Sequence, residues 1–288
     1  MWPVYALMSA FLESTKDVIG KSVSNKTNEY VAAFSLQLFG ALILTPFLLY
    51  QGIPFIQPKF WFVMVGFCFT IPSAAILYMR AVKLSPLSLS VPMLAFNPVF
   101  TAFNAVLFDR KYPTYLGWTG IILVCTGLYI FRLDKSVLKK GFFYPFMLLR
   151  DEPGALAMLG VSLIWSIGAH LSKASVSYSS PLFAGWAGTV IGSVTLFIIA
   201  RRKIFENFHS ITRNIRMLVI LGIVDGLSIL SMYTALSFGL TASVISIKRT
   251  NILWSSLYGS IVLKEQFGRL KMIGLFCMFV GVLLLLFL

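Results

Sequence analysis

The stretches Ala81–Phe100, AVKLSPLSLSVPMLAFNPVF, and Ala235–Trp254, ALSFGLTASVISIKRTNILW, lie 154 residues apart and decide the fold. Under that one shift Ala81 falls on Ala235, Asn97 on Asn251, Gly120 on Gly274 and Gly127 on Gly281 without a gap. Nearer the start of the chain a shift of 152 lays Ser14 on Ser166 and Lys21 on Lys173. Self-similarity of this kind marks a duplicated unit, here of about half the chain.

The copies are built for a membrane. Of the 288 residues 58% are hydrophobic and 12% charged, and the mean hydropathy of +0.86 lies well outside the range of soluble domains. A helix needs about 20 mostly apolar residues to cross the hydrocarbon core. Ten segments reach or approach that length: 2–22, 30–50, 59–79, 86–107, 113–131, 154–173, 181–200, 216–237, 241–262 and 271–288. Their long apolar runs fit helices, since barrel strands alternate over about ten residues. Five spans per copy is an odd number, so the second copy starts from the opposite side of the membrane. The expected fold is therefore all-α: ten transmembrane helices in two inverted five-helix repeats, 1–131 and 154–288, joined by a basic and aromatic linker at 132–153. Inverted halves that rock about a site at their interface are a transporter arrangement.

The net charge of +14 does not point to nucleic acid, because the cations fall in short segments between the apolar runs. The linker, with Phe142, Phe143, Tyr144 and Phe146 beside its basic residues, and the stretch 200–216, ARRKIFENFHSITRNIR, suit segments lying on an anionic lipid surface. For the linker, a plain connection between the repeats serves as well. Cys68, Cys125 and Cys277 sit inside apolar spans at no metal-binding or redox spacing. No Walker loop, metal-ligand set, dinucleotide fingerprint or nucleophile elbow is present, and the two histidines have no clustered partners. Direct ATP drive is unsupported, and neither an enzyme nor a bound cofactor is expected.

Three segments resemble the EamA members of the drug/metabolite transporter superfamily: AFLESTKDVIGKSV (10–23), YMRAVKLSPLSLSVPMLAFNPVFTAF (78–103) and SIKRTNILWSSLYGSIVLKEQFGRLKMIG (246–274). The likeness runs over essentially the whole chain. Glu265 stands where the family usually has an acidic residue after its ninth helix; in FDRKYPT (108–114), Asp109 stands in for a more usual Gly-Glu pair. The resemblance implies a ten-helix secondary transporter of small metabolites, and it names no cargo.

Orientation gives two answers. Leaving out Lys16, Lys248 and Arg249, seventeen cations lie on one side of the predicted spans and four, Lys59, Arg110, Lys111 and Lys173, on the side of the termini. The positive-inside rule then puts both termini outside the cytoplasm, whereas the family resemblance implies termini inside. A reporter fused after Leu288 that is active only in the periplasm decides for the charge count. The expected location is the plasma (inner) membrane of a bacterium or archaeon.

Chemistry concentrates on a few spans. Burying one unpaired charge in a bilayer costs roughly 2.5 to 3.5 kcal/mol on insertion scales, yet the predicted ninth helix holds adjacent cations, Lys248 and Arg249. They could snorkel back to the interface. Against that, Lys248, Asn251 and Ser255 share one helix face. The predicted fourth helix carries a similar stripe of Ser90, Asn97, Thr101 and Asn104. Helix packing can use such hydrogen bonds, but it does not need the cations in one copy only. Candidate counter-ions are Glu13 and Asp17, which share a face with Lys16 in the first helix, and Asp225 in the eighth. Intramembrane carboxylates serve as ion-pair partners or as proton carriers, so protons are a candidate coupling ion. His170 continues the spacing of Ser162 and Ser166 and could line a cavity, although a lone histidine is more often a satisfied core residue. Tyr78, Trp165 and Trp254 could wall a cation, or simply pack and anchor the bundle. Gly185, Gly188 and Gly192, like Gly120 with Gly127 and Gly274 with Gly281, read as close helix packing.

The expectation is that Lys248 and Arg249 face a central cavity and attract a carboxylate or phosphate of the cargo. Asn97, Thr101, Asn104, Asn251 and Ser255 would add neutral hydrogen bonds, while Glu13, Lys16, Asp17 and Asp225 balance charge or carry protons. Expected partners are a small-molecule substrate and membrane lipid; a homodimer is allowed but not indicated. A flippase for a lipid-linked amphipathic substrate and a membrane scaffold or receptor without transport are the rival readings.

Overall fold

The computed structural model describes residues 1–109, 114–132, 152–261 and 268–284. The linker at 133–151, Arg110, Lys111 and Glu265 lie outside the described residues, as does the side chain of Asp109. Helices account for nearly all that is described: α1 Trp2–Ser24, α2 Glu29–Gln51, α3 Lys59–Leu84, α4 Leu87–Ser90, α5 Phe96–Asp109, α6 Tyr115–Arg132, α7 Pro153–Ser177, α8 Pro181–Glu206, α9 Phe208–Phe238, α10 Thr241–Lys248, α11 Asn251–Ile261 and α12 Arg269–Leu284. Local chemistry sets their ends. The Asn28 side chain caps α2 by accepting from the Tyr30 amide, Ser180 caps α8 ahead of Pro181, and Gly52 at φ +81° stops α2 in a conformation other residues resist.

Each predicted span is helical where described, with two differences. The seventh and eighth spans run past their expected ends into the stretch 200–216, α8 to Glu206 and α9 from Phe208, and these extensions expose Arg201, Arg202, Lys203, Arg213 and Arg216. The fourth and ninth spans are both broken. In the former a 3-10 turn, Val91–Ala95, separates α4 from α5, where Pro92 and Pro98 withhold amide donors. In the latter no proline is present. Instead the amides of Arg249, Thr250, Ile252 and Leu253 donate to carbonyls three residues back, tightening the chain between α10 and α11.

Among the described residues five helices, α2, α3, α7, α8 and α9, are long and apolar enough to cross a bilayer by length and composition alone. α1 is disqualified by its charges. α6 and α12 are shorter and adjoin undescribed residues. The bundle packs α1 along α9, α3 along α7, α2 against α8 and α9, and α6 along α12. Small residues permit this in lipid, where closeness of backbones replaces the hydrophobic drive. A Cβ on Gly127 would lie 2.6 Å from the Met278 amide nitrogen, and one on Gly274 2.4 Å from that of Phe131, so the glycine seam between α6 and α12 is a packing seam as expected. Two lysines tie helix ends down. Lys21 of α1 donates to the carbonyls of Val82 (2.6 Å) and Ser85 (2.9 Å) at the end of α3. Lys173 of α7 donates to those of Leu236 and Gly239 (3.0 Å) at the end of α9.

Candidate functional site

α1 brings carboxylates into the bundle, and the break between α10 and α11 brings cations to meet them. Glu13 is the hub: Oε1 accepts from Lys16 Nζ at 2.6 Å, while Oε2 accepts from Lys248 Nζ at 3.1 Å and from Ser228 Oγ at 3.2 Å. Lys16 Nζ also lies 3.2 Å from Asp225 Oδ1 on α9. Arg249 reaches the other way, donating from Nε (3.2 Å) and Nη2 (3.0 Å) to Asn97 Oδ1, whose own Nδ2 donates to the Ser162 carbonyl at 2.8 Å. Asp17 accepts from Tyr78 Oη, from Ser255 Oγ and, at 3.5 Å, from Asn251 Nδ2.

Three carboxylates and three cations thus form one buried group of zero net formal charge, in which no residue is more than 7% exposed. Neutrality makes the burial tolerable, since desolvating an ion is repaid only by close, well-satisfied partners. Within this group two atoms, Arg249 Nη1 and Asp225 Oδ2, have no hydrogen-bond partner among the described residues. Trp165 stands amid the cations, its ring 5.2 Å from Arg249 Cζ, 5.3 Å from Lys16 Nζ and 5.9 Å from Lys248 Nζ, and it stacks on Tyr78 at 5.7 Å.

Beside this group lies a cavity of about 140 Å³ walled by α1, α2, α3, α7, α8, α9 and α10. Glu13, Lys16, Asp225, Lys248 and Arg249 line it, as do apolar residues including Phe67, Ile71, Ala75 and Ile229. Apolar cavities of comparable size take a molecule such as benzene, of roughly six heavy atoms.

The profile of the EamA-like transporter family matches residues 1–133 and 152–287. The chain belongs to this family. No curated protein matches it significantly. A solved structure described only as the crystal structure of a protein superposes with a TM-score of 0.67 over 98% of this chain and 95% of its own, at 14% identity. That likeness speaks for the fold alone. The EamA-like transporter is an integral, multi-pass membrane protein.

Of the residues singled out in its sequence, Lys248, Arg249, Glu13, Lys16, Asp225 and Tyr78 line the cavity. Asn97, Asn251, Ser255 and Asp17 stand behind them. Thr101 Oγ1 donates to the Asn97 carbonyl (2.8 Å) and Asn104 Nδ2 to Ser166 Oγ (2.8 Å), so these polar stripes hold helices and ions, not open space. Ser166 and His170 are off the wall, because the inward face of α7 is the one carrying Trp165, Gly168, Ala169 and Ser172. Trp254 is a correction: with Ser255 turned to Asp17, its neighbour points roughly 100° away and is 46% exposed on the outer surface. The Tyr78 and Trp165 rings lie over Lys16 and line the cavity, as do Gly185 and Gly188; Gly185 is also closely packed, a Cβ there lying 3.2 Å from Ile229 Cγ2. Gln37 and Thr189, also in the wall, were missed; the one signal was an amide and a hydroxyl deep in apolar spans.

Proposed function

We propose that this EamA-like transporter is a secondary transporter of a small metabolite carrying an anionic or zwitterionic group, working by alternating access between inverted repeats, 1–131 and 154–288. The observation that carries the reading is the neutral buried ion group beside the cavity, with one donor of Arg249 and one acceptor of Asp225 unused. A zwitterion offers a partner to each and preserves neutrality. An anion would need a proton to accompany it, and Glu13, Asp17 or Asp225 is placed to take one. The small volume favours a free solute over a lipid-linked cargo.

The wall itself supports the duplication. Glu13 with Trp165, Lys16 with Gly168, Leu36 with Gly188 and Gln37 with Thr189 are related by a shift of 152; Ile71 with Asp225, Ala75 with Ile229 and Tyr78 with Met232 by 154. All fourteen residues line the cavity. Residues so paired belong on an axis relating two copies, and broken helices in corresponding positions are where such transporters bind cargo.

The test is flux into proteoliposomes, with cargo first sought by thermal stabilisation across a metabolite library, since a ligand that binds only the folded state raises its stability. Lys248→Gln/Arg249→Gln is expected to abolish flux while the protein still elutes as a folded species; Arg249→Lys, which keeps the charge but loses the fork geometry, should retain a reduced rate. Normal flux by the double variant sinks the proposal.

A further inference from the structure

We infer that Gly168 of α7 and Gly188 of α8 gauge the size of an apolar group on the cargo, an inference that rests on the transport reading above. Several glycines of the bundle, such as Gly127 and Gly274, would drive a Cβ into a neighbouring backbone. Gly168 and Gly188 would not. A Cβ on Gly168 would meet nothing within 4 Å, and one on Gly188 would find only ordinary contacts, 3.6 Å from Ile71 Cδ1 and 3.7 Å from the Phe67 ring. Glycine inside a helix costs stability relative to alanine, so an unforced glycine needs another reason.

The duplication supplies one. Where the first copy fills its side of the cavity with Lys16 and Leu36, the second has Gly168 and Gly188. Both glycines line the cavity, so it lies where those side chains have no counterparts. The surrounding wall of Phe67, Ile71 and Ala75 is apolar, while Arg249 and Asp225 in the same wall are almost fully buried and each keeps an unpaired polar atom. The cavity is therefore shaped for an amphipathic molecule, its charged head at the ion group and its apolar group against the two glycines.

The probes are glycine, L-alanine, L-valine, L-leucine and L-phenylalanine, which share one zwitterionic head and differ in apolar size. Thermal stabilisation of purified protein and counterflow in proteoliposomes are measured for wild type, Gly168→Ala and Gly188→Ala. Both variants should unfold at or above the wild-type temperature. They should keep the smaller probes and weaken the largest one tolerated by wild type by about tenfold or more, the scale of one methylene in a fitted pocket. Identical profiles in all three proteins overturn the gauge and leave the transport reading standing. Variants that unfold well below wild type also overturn it, for the glycines would then serve packing. If no probe stabilises the wild type, the zwitterionic-cargo reading falls and this inference with it.

Discussion

The two broken helices occupy corresponding places in the chain and carry opposite chemistry. In the first, positions 94 and 95 of the 3-10 turn are Leu and Ala, both fully buried; in the second, the aligned positions hold Lys248 and Arg249. The asymmetry reverses in the first span of each copy, where α1 has Glu13, Lys16 and Asp17 and α7 has Trp165, Gly168 and Ala169. The α1 cluster carries a net charge of −1, and Asp225, Lys248 and Arg249 together carry +1. Neither half is neutral alone. The neutral burial of the six ions therefore draws on both halves of the chain.

The sharpest way to break that comparison is at the hub. Glu13→Gln removes the negative charge shared by Lys16 and Lys248 and turns one of the two acceptor oxygens into an amide donor, so both ammonium groups lose their closest counter-charge. Uncompensating a buried pair typically costs about 3 to 5 kcal/mol, and thermal unfolding in detergent should register it. Glu13→Gln/Lys248→Met should recover much of the loss. Trp165→Phe, at the aligned position of the other copy, removes only the better of two aromatic faces and should cost about 1 kcal/mol or less. Equal losses at the two positions would mean that the charge lies elsewhere than at this interface.

The aligned asparagines should differ less. Asn97 holds two guanidinium nitrogens of Arg249, and losing hydrogen bonds to a charged group costs about 1.5 to 3 kcal/mol. Asn251 makes a single long contact of 3.5 Å to Asp17, so Asn251→Ala should cost under about 1 kcal/mol. Urea or thermal titration of both variants orders them; the reverse order would assign the anchoring of the breaks to the second copy.

Much of this was legible in the sequence, and the failures have physical causes. Constant shifts exposed the duplication, and adjacent cations in an apolar run demanded a counter-ion, which Glu13 supplies to Lys248. The first break lies at Pro92 and Pro98, yet 86–107 reads as one span because its apolar run is continuous. The second has no such mark, because nothing from Thr241 to Trp254 is a helix breaker. That turn is tightened by 3-10 bonds, and Arg249 at its centre is held by Asn97, a contact 152 residues away. Periodicity correctly grouped Asn97, Thr101 and Asn104 on one side, yet it carries no information about what lies opposite. The partners are Ser162, Arg249 and Ser166 where open space was expected. The cavity-lining glycines were unreadable for a related reason, since a glycine pressed on a backbone and one facing a void have the same spelling.

The finest comparison is between the two lysine ties, where the copies are alike instead of opposed. Lys21 and Lys173 sit at aligned positions, each near the end of the first helix of its copy, and each donates to two carbonyls at the turn that leads into a broken helix. Those carbonyls belong to the last turn, where intrahelical donors run out. Replacing either lysine with methionine should therefore cost about 1.5 to 2 kcal/mol, the lower part of the range for charged hydrogen bonds because both side chains are only partly buried. The two losses should match within a factor of two by thermal unfolding, and add in the double variant, because the sites share no partner. A large effect at one lysine and none at the other would show that the copies have diverged at their hinges as well as at their charges, and the alignment of the two breaks would then be a likeness of sequence without a likeness of mechanics.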